Sequence, residues 1–207
     1  MIKKKLYPKT TRLGRDRTEV IVTEKLDGSN LTFFKHPETG KLGIGQRNII
    51  YYLDEIEDKE SKSIMYKGLK EWLNKHGENL EKQLNKRSAI VGEWLGMGGI
   101  KYDNTELNKF NMFAKANVNS DLDMYNINYN ADLFIYPFVI QEIPDYMGTA
   151  PVVKVLNSFP SVDVMDELYD SYVKKVDRKV EGFCVTDGKI IRKYVRMKRG
   201  VLEDHSD

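Results

Sequence analysis

The sequence predicts an α+β fold, and three observations predict it. Short β-textured segments bounded by turn residues occupy both ends of the 207-residue chain. Helical texture is confined to residues 54–87 and to a stretch after Ser161. Strands and helices do not alternate in regular βαβ units. No repeat, low-complexity segment or linker cuts the chain, so a single domain over residues 1–207 is expected.

In chain order, residues 1–17 are irregular, with Pro8, Gly14 and many charges. A first strand covers residues 18–23, with Val20 and Val22 alternating against Glu19 and Ile21, and leads into Lys25. Residues 31–36 and 41–47, joined by Pro37-Glu38-Thr39-Gly40, read as a β-hairpin. In residues 54–87, Ile64, Gly68 and Trp72 fall at i, i+4 and i+8, and Leu80 and Leu84 repeat the spacing. Gly77 is expected to divide two helices there, and Trp72 to belong to the core. Residues 88–96 form a short apolar strand interrupted by Glu93. A carboxylate in such a run is costly unless it is hydrogen-bonded or paired, and the flanking glycines favour a ligand for it. Residues 110–116 suit a strand or a helical turn, residues 117–130 a connector, residues 133–140 a strand. Residues 144–151 read as a loop and residues 152–156 as a strand. Ser161 is placed to N-cap a helix with Met165, Leu168 and Tyr172 as its apolar stripe. Strand texture returns over residues 180–185, turns at Asp187-Gly188 and continues over residues 189–198.

Composition narrows the function classes. At 41% hydrophobic and 31% charged, the chain should fold and stay in solution, and no apolar run could span a membrane. Cys184 is the only cysteine, which excludes an internal disulfide and suits a reducing cytoplasm. Its expected role is a small buried hydrophobe within a strand. The three histidines are scattered, without zinc spacing. The net charge of +2 does not announce a nucleic-acid binder, but its distribution is uneven. Lys3, Lys4, Lys5, Lys9, Arg12, Arg15 and Arg17 crowd one end; Lys189, Arg192, Lys193, Arg196, Lys198 and Arg199 crowd the other. Brought together, they would form one phosphate-tracking surface; apart, they are two solvated basic ends.

The stretch Glu24-Lys25-Leu26-Asp27-Gly28-Ser29-Asn30 suits covalent chemistry. A deprotonated lysine amine is a good nucleophile, and Gly28 would let the backbone approach a ligand. Alone, the pattern is also an exposed lysine before a tight turn. The order of the downstream residues gives it weight: Gln46-Arg47-Asn48, then Gly92-Glu93-Trp94, residues 110–116 with Phe113, Glu181-Gly182, and Arg196-Met197-Lys198. This ordered set resembles the covalent nucleotidyltransferase superfamily of ATP-dependent RNA and DNA ligases and mRNA-capping enzymes. It looks most like the nick-sealing RNA ligase branch of bacteriophage type, over residues 23–198.

The resemblance implies an ATP-grasp-like nucleotidyltransferase domain of antiparallel sheets flanked by helices. The chain stops soon after Lys198, so no OB-fold domain is expected, which argues against a DNA ligase or capping enzyme. It implies an enzyme that joins 5′-phosphate and 3′-hydroxyl ends, in RNA repair, with ATP and Mg²⁺ or Mn²⁺. Lys25 would carry AMP, which then moves to the 5′-phosphate end. Arg196 and Lys198 would clamp the α-phosphate and favour the neutral amine, with Lys193 as a rival on the opposite face if a bulge intervenes. Phe113 would stack on adenine, with Phe110 its rival; Glu93 would contact the ribose; Glu181 would bind the metal or orient Lys25. The backbone beside Glu24 would read the adenine edge. Asn30 and Arg47 would face the nucleic-acid ends, and Asp27 would lie near them. RNA ends or a nicked duplex are the expected partners of a monomer in the cytoplasm, the host's if the chain is phage-encoded. A DNA or DNA/RNA-hybrid nick ligase, or an idle end-binding protein of the same fold, are the alternatives.

Overall fold

The computed structural model describes residues 19–46, 49–53, 67–95, 98–103, 105–129, 143–198 and 201–202. The first basic cluster, Arg47, the expected strand over residues 133–140 and the start of the first helical stretch lie outside them. So does the side chain of Lys198.

The larger sheet is built from β2 (Ser29–Lys35), β3 (Leu42–Gln46), β4 (Ile49–Tyr52), β5 (Ser88–Trp94), β6 (Phe110–Val118) and β7 (Met124–Tyr129). Their order is β4-β3-β2-β5-β6-β7, all antiparallel. The short β8 (Gly148–Thr149) pairs parallel to β6. The smaller sheet has the order β11-β10-β1-β9, from β1 (Val20–Lys25), β9 (Val152–Leu156), β10 (Gly182–Thr186) and β11 (Ile191–Val195). A further pair joins β12 (Met197–Lys198) to β13 (Val201–Leu202). The expected α+β class is present, and β2 and β3 form the expected hairpin as far as Gln46.

Each sheet carries one described helix on its outer face. Helix α1 (Leu69–Gln83) buries Leu69, Leu73, Gly77 and Leu80 against Leu31, Phe33, Ile44, Trp94 and Phe110 of the larger sheet. Gly77 therefore does not divide two helices. It lies on the buried face of one continuous helix, one turn after Leu73. Leu80 and Leu84 are buried as expected, but the first part of the stripe is displaced by one residue, to Leu69 and Leu73: Gly68 is the N-cap, in a left-handed conformation (φ 79°), and Trp72 is only partly buried. Trp72 nonetheless packs in the core, stacked on Phe33 at 5.6 Å.

Helix α2 (Val162–Val176) starts where Ser161 accepts a hydrogen bond from the Val164 N–H, as its capping residue predicts. Met165 and Tyr169 bury against Val20, Val22, Phe183 and Val185, while Leu168 and Tyr172 pack at the edge of that cluster. The inner face of the larger sheet carries Phe34, Ala89, Val91, Ala114 and Ala116. Phe113, Met124, Ile127 and Tyr129 pack against that face. The Thr186 hydroxyl donates to the Tyr129 carbonyl at 3.1 Å and so ties β10 to β7 across the gap between the sheets.

Three expectations change. Residues 117–130 are not a plain connector, because they contain β7; its polar, Asn-rich sequence obscured the pairing with β6. The loop over residues 144–151 contains β8, too short to show a period. Residues 189–198 are not one strand, because β11 ends at Val195. The Arg196 and Met197 N–H groups both donate to the Glu181 carbonyl, at 2.9 Å each. Two residues against one acceptor is the signature of a bulge, which turns the chain.

Candidate active site

Successive residues of a strand point to opposite faces, and this alternation sorts the residues around Lys25. On β1, Thr23 and Lys25 face the gap between the sheets, while Val22 and Glu24 face helix α2. Lys25, Glu93, Phe113, Tyr129, Cys184 and Thr186 line a cavity of about 190 Å³ in that gap. One wall comes from the smaller sheet and the other from the larger. Residues far apart in the chain meet there because β1, β5, β6, β7 and β10 all present residues to the gap.

Lys25 Nζ pairs with Glu181 Oε2 at 2.5 Å, and both side chains are largely shielded from solvent. Burial raises the Glu181 carboxyl above its ordinary range, while Lys25 pulls it back down, Asp27 raises it and Lys193 lowers it. Gly182 follows with φ +157°, and a Cβ there would lie 2.0 Å from the Tyr194 carbonyl oxygen. That contact explains the Glu-Gly pair: only glycine lets β10 begin so close to β11.

Glu93 lies across from Lys25. Burial pushes its carboxyl up to about 7, against the pull of Lys25 and of a hydrogen bond from Gly28 N–H. That bond is 3.1 Å long and reaches Oε1. Gly28 also has a packing reason: a Cβ there would meet the Trp94 carbonyl oxygen at 2.4 Å, so the turn presses on β5. Asn30 is next to Glu93 in register across β2 and β5.

Asp27 is anchored to the loop over residues 98–103. Its Oδ2 accepts from Ile100 N–H at 2.9 Å, and its own N–H donates to the Tyr102 hydroxyl at 2.9 Å. Phe113, partly buried, lines the cavity. Phe110 is fully buried on the opposite face of the sheet, edge-on to Phe33 at 4.8 Å. The alternation of β6 thus separates the two rivals. Cys184 is in a strand as expected, but it borders the cavity instead of the core, and burial raises its thiol to about 11.

Arg196 is not brought to Lys25. Its Nη1 donates to Asp166 Oδ1 of α2 at 2.6 Å, the Tyr194 hydroxyl donates to the same oxygen, and the guanidinium lies over the Tyr169 ring. Lys193 instead pairs in register with Cys184, on the cavity side of β11. The sequence alternation placed Arg196 and Lys193 on opposite faces; which face met Lys25 was the reverse of the expectation, because helix α2 covers the other one. The expected Arg47 contact lies outside the described residues, as does the Lys198 side chain.

Three partners around the site carried no functional signal in the sequence: Arg178, Tyr172 and Tyr102. Glu24, with no side-chain exposure, receives Arg178 Nη1 on Oε1 at 2.5 Å, Arg178 Nη2 on Oε2 at 2.6 Å and the Tyr172 hydroxyl at 2.8 Å. The Arg178 guanidinium also lies over the Tyr102 ring, 5.4 Å from its centroid. Arg178 follows the Lys174-Lys175 helix end and gave no local signal; its role depends on a strand far upstream, at a sequence separation of 154. Among the described residues, no group of three or more His, Cys, Asp and Glu could hold a metal ion by itself.

No curated protein matches the chain. Among solved structures, a mutant Naegleria gruberi RNA ligase with ATP and Mn superposes with a TM-score of 0.54 at 17% identity, over 87% of this chain and 50% of that one. An apo mutant of a Naegleria gruberi RNA ligase gives 0.55 at 19% identity, over 87% and 50%. An archaeal ATP-dependent RNA ligase gives 0.50 at 14% identity, over 87% and 43%. This chain spans half or less of the length of these solved relatives, and at such identities the likeness is one of fold. The sequence itself carries the assignment further. A model of the RNA ligase family matches residues 18–198, from the strand that presents Lys25 to the one that ends at Lys198, and the chain belongs to that family.

Proposed function

We propose that this chain is an ATP-dependent RNA ligase that works through a lysyl-AMP on Lys25. The observation that carries the reading is the pairing of Lys25 with the shielded Glu181 in a cavity that also holds Phe113 and Glu93. The ATP and Mn in the Naegleria gruberi structure support the choice of nucleotide and of a divalent ion.

Neutral Lys25 Nζ attacks the α-phosphorus of ATP; an N–P bond forms and the P–O bond to pyrophosphate breaks. Glu181 is the acceptor for the ammonium proton, since burial gives its carboxyl more affinity for one. A 5′-phosphate oxygen then takes the AMP, breaking the N–P bond and returning the amine. A 3′-hydroxyl oxygen then attacks the 5′-phosphorus and gives its proton to solvent; the phosphodiester P–O bond forms as the phosphoanhydride P–O bond breaks, and AMP leaves. Each step is mostly a matter of position and of charge stabilisation on a phosphoryl group. Phe113 stacks on the adenine, and Glu93 accepts from a ribose hydroxyl. Lys193, exposed on the rim, meets the phosphates in the role that the resemblance gave to Arg196. Glu24 acts through its main chain, because its carboxylate is fully engaged. Asn30 faces the reacting ends beside Glu93.

The residues fit a divalent cation held chiefly by the nucleotide phosphates, to which the Glu181 carboxylate would supply an oxygen only while it carries no proton; Mg²⁺ is commonly bound in this way. When bound, the ion would neutralise phosphate charge and orient the leaving group.

The test is incubation with α-labelled ATP and Mg²⁺ or Mn²⁺. A covalent adduct that maps to Lys25 and disappears in Lys25→Ala is expected. No adduct with any nucleotide, or one on another lysine, would overturn the reading. Matched nicked duplexes with RNA or DNA at the 3′-hydroxyl strand then decide the substrate, with RNA expected to seal faster.

A further inference from the structure

Arg178 is well removed from Lys25 in sequence, yet it holds the residue before it directly and the residue two after it through Tyr102. Before Lys25, it grips both oxygens of the Glu24 carboxylate, at 2.5 and 2.6 Å. After Lys25, its guanidinium covers the ring of Tyr102, whose hydroxyl accepts the Asp27 N–H at 2.9 Å. A carboxylate without solvent exposure is strongly unfavourable in a protein unless its oxygens are bonded. Here three donors bond it: two from Arg178 and one from Tyr172. A planar fork on a carboxylate sets orientation as well as distance, which an ammonium cannot do.

Geometry converts this grip into a constraint on the nucleophile. Glu24 and Lys25 are consecutive strand residues, so their side chains point to opposite faces of the smaller sheet. Rotation of β1 that loosens Glu24 from α2 must also swing Lys25 within the cavity. Beyond Lys25 the strand ends, and the bend at Asp27 is held by Tyr102 and by Ile100 N–H. Arg178 itself is aimed by the left-handed C-cap of α2 at Asp177 (φ 50°). Without Arg178, both flanks of Lys25 lose a brace, while Glu93 and Phe113 on the opposite wall keep their places.

We propose that Arg178, acting through Glu24 and Tyr102, is a positioning residue for Lys25 in the adenylylation step. The proposal rests on the reading of Lys25 as nucleophile. Arg178 makes no contact with nucleotide in this scheme, and the Glu24 main chain is held separately by Pro151 and by pairing with Phe183, so its loss should slow chemistry far more than it weakens nucleotide affinity. Misplacement of a reacting group by about 1 Å costs roughly 100-fold in rate.

The experiment measures single-turnover adduct formation from α-labelled ATP, and separately the affinity for the non-transferable α,β-methylene analogue of ATP. Wild type, Arg178→Lys, Arg178→Met and Tyr102→Phe are compared. For both Arg178 variants, the maximal rate is expected to fall roughly 10- to 100-fold, with analogue affinity within about threefold of wild type. Tyr102→Phe should lose roughly 3- to 10-fold in rate, also at constant affinity. Arg178→Lys at the wild-type rate would show that charge alone suffices and would overturn the proposal. So would a loss confined to analogue affinity. If the Arg178 variants do not fold, Tyr102→Phe decides, and a wild-type rate there overturns the proposal. Absence of any adduct in wild type would instead defeat the underlying reading of Lys25.

Discussion

Replacing Glu93 with glutamine should make the apo protein more stable at neutral pH, while weakening the proposed nucleotide binding. The glutamine amide would keep the shape, and its oxygen could still accept the 3.1 Å bond from Gly28 N–H. Only the ionisation is removed. The wild-type carboxyl is pushed from 4.5 up to about 7, chiefly by burial. The folded state therefore holds a proton that the unfolded chain releases between these two values. Stability is then full below the unfolded value, falls as pH rises, and levels off above about 7. The separation is about 2.5 pH units at about 1.4 kcal/mol each, on the order of 3 kcal/mol. Urea denaturation of wild type and Glu93→Gln from pH ~4.5 to ~8.5 reads this directly. The two should nearly coincide at the acid end. Above about pH 7 the variant should gain on the order of 3 kcal/mol, or about 1–2 M in midpoint for a slope of about 2 kcal/mol/M. A difference between the two proteins that does not change with pH would refute the reasoning. A stability gain with lost nucleotide affinity would also show that the site holds a strained charge for function.

Other outcomes come from the same geometry. Phe113→Ala should weaken nucleotide binding roughly tenfold or more through lost stacking, at little change in stability, whereas Phe110→Ala should cost about 3–5 kcal/mol in urea unfolding. Arg196→Gln should leave adduct formation within about threefold of wild type and cost at most ~1 kcal/mol, because its pair with Asp166 is partly exposed. Lys193→Ala should slow adduct formation more than Arg196→Gln does, and the reverse order in a single-turnover assay would return the phosphate role to Arg196. Gly182→Ala should destabilise by at least about 3 kcal/mol, since the new Cβ meets the Tyr194 carbonyl at 2.0 Å; a urea midpoint near wild type would contradict that contact.

The sequence by itself determined the α+β class, the β1-turn-β2 presentation of Lys25 and the capped start of α2. These rest on local chemistry: period-2 alternation, turn residues at Asp27-Gly28, and a serine before a helical stripe. The ordered motifs also named the residues that line the cavity from separate strands: Lys25, Glu93, Phe113 and, beside it, Glu181. What alternation could not supply is which face of a strand meets which layer. It separated Lys193 from Arg196, but only the packing of α2 on the smaller sheet showed that Arg196 faces Asp166, and only the folded β6 put Phe113 in the cavity and Phe110 in the core. Likewise, Gly28 and Gly77 looked like local signals and proved to be packing positions, against Trp94 and on the buried face of α1. The Glu24–Arg178–Tyr102 network had no local trace at all. Its contacts join residues separated by 154 and 75 positions through hydrogen bonds, and such partners come together only when the sheets and the helix end are in place.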